Sequence, residues 1–444
     1  MHLFFYTIFC WLYQLAVRIA ALWNPKARRW VRGRKGIFPQ LRTQLEALRA
    51  PLPQPSGQEG IPFAMASASP AQPPLIWMHC ASLGEFEQGR PVLESLRARH
   101  PHARILLSFF SPSGYEVRKE YPGADLITYL PMDSKANARQ FLDIVNPSLV
   151  IWVKYEYWYY YLTALKKRQI PTLLISGIFR PGQPFFKWYG RLHRYILDSF
   201  THLFVQNQAS ADLLQKIGFS RQVTVNGDTR FDRVATIAAA FSPLPNIEAF
   251  CGHHPVVVAG STWDADEEEL DHYANTHPEL RFIIAPHEIG EDHLKDIGKL
   301  FKYSVRYSRW TPGDANGHPN GGTPNTLIID NIGMLSRLYR YAHITYVGGG
   351  FGSDGIHNVL EAAVYSKPVV FGPVYDKFQE ATELLETGGA FSVDNALELE
   401  KTFNDLLKDP GLYGQSAAAA GRYVQEKTGA TQAILQFIAA SKWV

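Results

Sequence analysis

Leu75-Ile76-Trp77-Met78-His79-Cys80-Ala81-Ser82-Leu83-Gly84-Glu85 is an apolar run that breaks at a small-residue turn and ends on a carboxylate at the head of a helical pattern. Far downstream, Ile344-Thr345-Tyr346-Val347 runs into Gly348-Gly349-Gly350-Phe351-Gly352 and then another helical pattern, with bare backbone in place of the acid. A short apolar run of this kind reads as a buried strand, and strand-loop-helix is the unit of a parallel sheet. Two such sites, one offering a base and the other an anion cradle, imply two α/β domains.

On either side of these loops, apolar runs recur at Leu75–Cys80, Ile105–Phe110, Leu126–Leu130, Leu149–Val153, Thr172–Ile175, Leu203–Val205 and Val223–Asn226, with helix-length segments between them. After an Ala- and Pro-containing stretch, Ala235 to Pro255, they resume at Val256–Ala259, Phe282–Ala285, Leu327–Ile329, Ile344–Val347 and Pro368–Phe371. This rhythm predicts two doubly wound domains, and a chain of 444 residues is long for one core. Pro51 to Pro74 reads as a linker and Thr311 to Asn325 as a surface loop, both dense in turn-forming residues.

The amino terminus has a different grammar. Leu3 to Trp23 is apolar, and no acid precedes Glu46, while Lys26, Arg28, Arg29, Arg32, Arg34 and Lys35 follow directly. As a helix, the stretch reaches about 30 Å, enough to span a bilayer. Thr7, Gln14 and Arg18 share one face, so a helix lying in the interface fits as well as a span. Either way the basic cluster is expected on anionic headgroups at the cytoplasmic side, with residues 1–35 a membrane-associated segment. The net charge of +3 gives no sign of a nucleic-acid binder. Cys10, Cys80 and Cys251 are odd in number and widely spaced, which points to a reducing compartment and no disulfide frame.

Glu85 stands at the head of a helix whose first turn is expected to hold Pro91. There a carboxylate is stabilised as the anion and is ready to accept a proton, although acids cap helices for structural reasons as well. In the second domain, Gly348, Gly349 and Gly350 let amides approach an anion, while Asn358 and Glu361 lie three apart on one face of the next helix. Asn-x-x-Glu is also a capping-box spacing. Gly260-Ser261-Thr262 offers a second anion-binding turn. Asp264-Ala265-Asp266 invites a metal, but the acidic run through Glu269 reads better as a solvated helix start, and no histidine spacing suggests ligands.

Taken together, the chain resembles the Kdo transferases of lipopolysaccharide synthesis, which move 3-deoxy-D-manno-octulosonic acid (Kdo) from CMP-Kdo to a lipid A precursor. The resemblance is carried by His79 to Glu85, Ser111-Pro112-Ser113-Gly114, Tyr129 to Asp133, Glu156-Tyr157-Trp158, Gly227 to Asp232, Gly260-Ser261-Thr262, Ile332-Gly333, the glycine loop, His357 to Glu361 and Phe371-Gly372-Pro373. It implies a GT-B fold: residues 36–234 form an acceptor-side Rossmann-like domain, and residues 235–444 a donor-binding one whose last helix returns to the first. It implies Glu85 as general base and Glu156 as a second acid. Ser82, Gly84, Ser111, Ser113 and Gly114 fall on the acceptor side. Ser261, His287, Ile332, Gly333, Gly348, Gly349, Gly350, Asn358, Glu361 and Arg230 fall around the donor.

It further implies no metal and no cofactor beyond CMP-Kdo itself, with a lipid A precursor and an anionic membrane surface as partners, at the cytoplasmic face of the bacterial inner membrane. The chain departs from the family where Pro286-His287-Glu288 replaces Pro-Arg-His, Arg230 replaces a lysine, Trp158-Tyr159-Tyr160 replaces Trp-Pro-Asn, and Lys154 stands where an acid is common. A UDP-sugar transferase of the same fold and a non-catalytic membrane-bound nucleotide sensor are the alternatives, and competition between CMP and UDP separates the first of them.

Overall fold

In a computed structural model of the protein, residues 2–49, 73–312 and 323–444 are described; residues 51–72 of the expected linker and 313–322 of the expected surface loop lie outside them. The chain divides into two units, Met1–Arg230 with Gly429–Val444, and Phe231–Thr428. The change of unit falls within a helix, Thr229–Ala239.

Unit 1 is built on seven parallel strands: β1 (Leu75–Cys80), β2 (Arg104–Phe109), β3 (Leu126–Tyr129), β4 (Leu149–Val153), β5 (Thr172–Gly177), β6 (His202–Val205) and β7 (Val223–Val225). Their spatial order is β3-β2-β1-β4-β5-β6-β7. β1 and β4 are buried along their whole length, which is why they read as unbroken apolar runs instead of alternating ones. Trp77, Phe141, Trp152 and Tyr161 fill one side of this sheet, while Met78, Leu93, Leu107 and Val153 fill the other. The order of strands reverses between β1 and β4, so the connections leaving their carboxyl ends part and open a crevice there.

Four helices of unit 1 bear on this crevice and on the amino terminus: α1 (His2–Ala20), α2 (Pro25–Gly33), α3 (Ile37–Arg49) and α4 (Leu83–Arg99). α4 begins at Leu83, so Glu85 lies within its first turn and Pro91 two turns further in, not in the first turn as expected. The helix survives an internal proline because that segment is held by packing: a Cβ on Gly89 would lie 2.8 Å from the Met78 sulfur and 3.0 Å from Val153. The helix Ala430–Ser441 also belongs to unit 1, placing Ile434, Leu435 and Ile438 in the core beside Val92 and Leu93. Pro410–Glu426, which precedes it, belongs to unit 2.

α1 is long and apolar enough to cross a membrane by length and composition alone. Its two faces differ. Tyr6, Cys10, Tyr13 and Val17 pack with Trp30, Phe110 and Met132, and the Tyr6 hydroxyl donates to Asp133 at 2.6 Å. Phe4, Phe5, Phe9, Trp11, Leu12, Leu22 and Trp23 are exposed on the protein. The packed face is set by Tyr6, Cys10 and Tyr13 at helical spacing, and Thr7 Oγ1 beside it lies 2.7 Å from the Tyr160 hydroxyl. Arg34 corrects the expected headgroup cluster: its guanidinium donates to the carbonyls of Leu130, Trp30 and Phe110 and lies over the Trp30 ring. Burial lowers its pKa to about 9, so this arginine is a structural tie.

Unit 2 repeats the architecture with β8 (Val256–Thr262), β9 (Arg281–Pro286), β10 (Ser304–Arg306), β11 (Thr326–Ile328), β12 (Ile344–Val347), β13 (Val369–Phe371) and β14 (Ala390–Ser392), in the order β10-β11-β9-β8-β12-β13-β14. All are parallel, and the switch point falls between β8 and β12. The sequence does not anticipate β10 and β14: each is three residues long and lies at a sheet edge, so neither leaves an apolar run to read.

Candidate active site

In unit 1, the turn after β1 delivers Glu85 and the turn after β4 delivers Glu156, one on each side of the switch point. Glu85 is 9% exposed. Its Oε2 accepts the backbone N–H groups of Ala81 and Ser82, the latter at 3.2 Å, closing the first turn of α4 on itself. Glu156 is held in the same one-sided manner. Its Oε2 meets His79 Nε2 at 2.8 Å and accepts from Trp158 Nε1 at 3.0 Å. Among the described residues, Oε1 of each carboxylate takes no hydrogen bond, so each has one oxygen committed to the fold and one available.

The expectation of an ionised Glu85 is corrected by its surroundings. Burial, then the negative charge of Glu156, push its carboxyl up to about 7; the two N–H bonds and Lys154 pull the other way and lose. Near neutrality Glu85 is therefore divided between base and acid forms. The local backbone is tight, since Lys154, which leads into the Glu156 loop, adopts the left-handed conformation at φ 59°.

Other residues expected on the acceptor side gather around this point. Ser82 contributes its N–H to Glu85, and Gly84 is exposed with nothing within 4 Å of where a Cβ would stand. Ser111 caps the helix Pro112–Arg118, its backbone N–H reaching the Ala81 carbonyl at 2.7 Å and its Oγ lying 3.0 Å from that of Ser113. Gly114 is required by the Phe109 ring, which an added Cβ would overlap. A cavity of about 380 Å³ between α1 and the Glu156 loop is lined by Tyr6, Phe9, Glu156, Trp158, Phe185 and Ile196 among others. Arg230, expected at the donor, lies in unit 1 with its Nε 2.8 Å from Asp228, a carboxylate that also accepts from Gln88 and Gln206.

His79 is the residue that sequence reasoning misses, since it is fully buried at the centre of a chain of polar contacts. Trp77 Nε1 donates to Ser108 Oγ at 2.8 Å, Ser108 Oγ lies 2.8 Å from His79 Nδ1, and His79 Nε2 reaches Glu156. The available signal is a histidine in an otherwise apolar central strand, where an unpaired polar group is costly.

In unit 2, Ser261, His287, Ile332–Gly333 and Gly348–Gly350 all lie at or just after the carboxyl ends of strands, those of β8, β9, β11 and β12. Ser261 and Gly333 hold positive φ of 55° and 95°, and the Ile332 side chain is 85% exposed. Asn358 donates from Nδ2 to Glu361 Oε1 at 3.1 Å and accepts the Leu360 N–H at 3.3 Å, so this pair meets as the spacing suggested and also caps the turn. His287 stacks between Trp263 and His357, with ring centres 4.6 and 4.5 Å away. Burial and the neighbouring His287 lower His357 to about 4, which keeps it neutral as it accepts from Trp263 Nε1.

The glycine loop departs from the cradle expected of it. The Gly348 N–H bonds to the Gly260 carbonyl at 2.9 Å, and the Gly349 N–H bonds to Asp266 Oδ2 at 2.8 Å, so both amides are engaged within the fold. The glycines are demanded by close approach: a Cβ on Gly348 would overlap the Ser261 carbonyl oxygen, and one on Gly350 would lie 2.6 Å from Gly372 backbone atoms. Asp266 corrects the view of its segment as solvated. It is 0% exposed, and besides Gly349 it accepts from the Trp263 N–H at 2.9 Å and the Tyr346 hydroxyl at 2.7 Å. Glu267 is buried too, accepting from Thr262 at 2.8 Å. His293 lies 3.0 Å from Asp264 and 3.2 Å from Glu267, a convergence of two acids and a histidine whose donor atoms lie close enough together to hold a metal ion.

Residues 58–233 match the family described as 3-deoxy-D-manno-octulosonic-acid transferase (kdotransferase). The chain is 26% identical over 340 residues to the 3-deoxy-D-manno-octulosonic acid transferase of Aquifex aeolicus, covering 75% of this chain and 86% of that one. It is 25% identical over 390 residues to the enzyme of the same name from Haemophilus influenzae, covering 85% and 88%. It is also 26% identical to a bifunctional glycosyltransferase/methyltransferase of Fusobacterium nucleatum, of whose length it spans only about half, 52%. Among solved structures, UDP-GlcNAc 2-epimerase from Neisseria meningitidis superimposes with a TM-score of 0.58 at 17% identity, over 82% of this chain and 100% of that one. That likeness is one of fold, and the α/β class with two doubly wound units of the GT-B type stands on it together with the two parallel sheets.

Proposed function

We propose that this chain is a glycosyltransferase of the Kdo transferase family, to which it is similar over most of its length, and that it moves Kdo from CMP-Kdo onto a lipid A precursor at the cytoplasmic face of the inner membrane. The observation that carries the mechanism is the pair of carboxylates at the unit 1 switch point, each with one oxygen unspent. Glu85 Oε1 takes the proton from the acceptor hydroxyl as that oxygen forms a bond to the anomeric carbon. The bond from that carbon to the phosphate oxygen breaks, and CMP leaves with the electron pair. Glu156 is the second acid on the acceptor side; its charge raises the basicity of Glu85, which favours proton abstraction near neutral pH.

On the donor unit, Ser261, His287, Ile332, Gly333, Asn358 and Glu361 hold CMP-Kdo, with Glu361 on the ribose. Gly348, Gly349 and Gly350 shape the wall, and their neighbours rather than the engaged Gly348 and Gly349 amides meet the leaving phosphate. No metal takes part in this scheme. α1 lies in the membrane interface instead of spanning it, because a span would strip Tyr6 from Asp133 and Thr7 from Tyr160. Its exposed aromatic face then enters the headgroup layer, with the exposed residues Arg28, Arg29 and Arg32 beside it. The cavity between α1 and Glu156 supports an acceptor that arrives from the bilayer.

The test is transfer from CMP-Kdo generated in situ to tetra-acylated lipid A precursor, read by mass spectrometry of the lipid. Wild type is expected to add Kdo and Glu85→Gln to fail. A folded wild type that adds nothing, yet binds UDP in preference to CMP, overturns the donor.

A further inference from the structure

Behind Glu156 stands a directional chain of hydrogen bonds. An indole N–H can only donate, so Trp77 fixes Ser108 Oγ as its acceptor. Ser108 has one hydrogen to give and, among the described residues, only His79 Nδ1 to receive it, at 2.8 Å. The imidazole hydrogen therefore sits on Nε2, pointing at Glu156 Oε2 at 2.8 Å, and Trp158 Nε1 donates to the same oxygen at 3.0 Å. Two donors thus converge on one carboxylate oxygen and hold it against the end of the sheet.

This chain is fully buried at Trp77, Ser108 and His79, and its last member ends at the switch-point crevice, where Glu156 is the like charge acting on Glu85. We propose that His79 is a positioning residue for the two carboxylates: its Nε2–H, oriented from behind by Ser108 and Trp77, anchors Glu156 by Oε2, and the carboxylate so fixed in place sets the pH at which Glu85 surrenders its proton. The role of the pair in transfer rests on the function proposed above; the coupling itself does not need it.

Other groups face the pair. Glu85 also meets Lys154, Tyr155 and Tyr157 from the end of β4 and Cys80 from β1; Glu156 also meets Cys80, Tyr13 of α1 and Arg34 after α2. Of these, Lys154 and Arg34 are cationic, and neither is altered by a change at His79. Losing the Nε2–H releases Glu156 from its anchor and lets its charge move off Glu85, so Glu85 ionises at lower pH.

The test titrates the carboxyl groups directly, by infrared difference spectroscopy of the full chain in detergent, with Glu85→Gln identifying the Glu85 band; the pH profile of transfer is recorded alongside. In His79→Leu the Glu85 band is expected to titrate at least about one pH unit lower than in wild type, whereas His79→Gln, whose amide restores a donor toward Glu156, stays within a few tenths of a unit. Glu156→Gln should reproduce the downward shift, and adding His79→Leu to it should give no further movement; this pair decides the matter if His79→Leu alone does not fold. A Glu85 titration unmoved by Glu156→Gln, or by His79→Leu in a folded protein, overturns the proposal. A wild type that shows the coupling but transfers no Kdo refutes the function and leaves the coupling standing.

Discussion

Glu85 and Asp266 occupy the same place in two copies of one topology. Each is the third residue of the helix that follows the strand at the switch point of its sheet, and each accepts the N–H of the residue just before that helix. Asp266 is then consumed: Oδ2 also receives Gly349 and Oδ1 receives Tyr346, leaving a carboxylate that braces the glycine loop. Glu85 spends only Oε2 and, among the described residues, leaves Oε1 without a hydrogen bond. Position in the fold is thus shared by a brace and by the carboxylate proposed as the base, and the number of partners left over tells them apart. Glu85, one methylene longer, reaches one residue further back, to the Ala81 N–H, whereas the shorter Asp266 stops at Trp263 and meets groups arriving from β12 and the loop after it.

The most severe challenge to this distinction is kinetic. Glu85→Gln should lower the turnover of Kdo transfer about 10²- to 10⁴-fold, the usual worth of a positioned base, while Asp266→Asn changes turnover per folded molecule less than about tenfold. Equal losses would erase the distinction. Next comes stability: Asp266→Ala strands the N–H groups of Trp263 and Gly349 and the Tyr346 hydroxyl, and calorimetry should show unit 2 destabilised by about 2–4 kcal/mol.

A smaller effect of opposite sign belongs to Glu85. Its carboxyl titrates near 4.5 when unfolded and about 7 when folded, so the unfolded chain sheds its proton first. Stability contributed at this site falls as pH rises from about 4.5 to 7 and is lowest above that range. Glu85→Gln escapes the penalty and should be about 1–3 kcal/mol more stable than wild type at about pH 8 in denaturant titrations, with the advantage gone below about pH 4.5. The same shift means that wild-type transfer should climb through about pH 7 as the base form fills. Smallest of all, Trp263→Ala removes the stack on His287 and the donor to His357, at about 0.5–1.5 kcal/mol, and NMR should find His357 titrating higher than about 4 because its burial is relieved.

Much of the architecture is legible because buried parallel strands announce themselves. Polar–apolar alternation is absent from β1 and β4, whose unbroken apolar runs have no other use, and both switch-point loops read correctly as the ends of strands. β10 and β14 are illegible since three residues at an edge bury too little to leave a pattern. At the site, residue types are readable but their state is not. Glu85 reads as a residue at a helix start, yet its protonation depends on burial and on Glu156, which lies far away in sequence. Asp266 looks like one more acid in a polar run because the partners that bury it come from β12 and the loop after it. Arg34 is indistinguishable from its basic neighbours until the fold supplies three carbonyls and an indole.

The helix Ala430–Ser441 gives the order of synthesis a role in folding. Unit 1 is opened by the first 230 residues and finished by the segment after Thr428, so its core beside α4 stays uncovered while the whole of unit 2 leaves the ribosome. Ile434, Leu435 and Ile438 each contribute about 1.5–3 kcal/mol by burial, and until they arrive the surface they cover is open to chaperones and to other nascent chains. The Asn226 amide, waiting for the Ala430 carbonyl at 3.1 Å, marks where the late helix docks. Unit 2 is thereby synthesised between the two parts of unit 1, and the unit that carries Glu85 is the last to be completed.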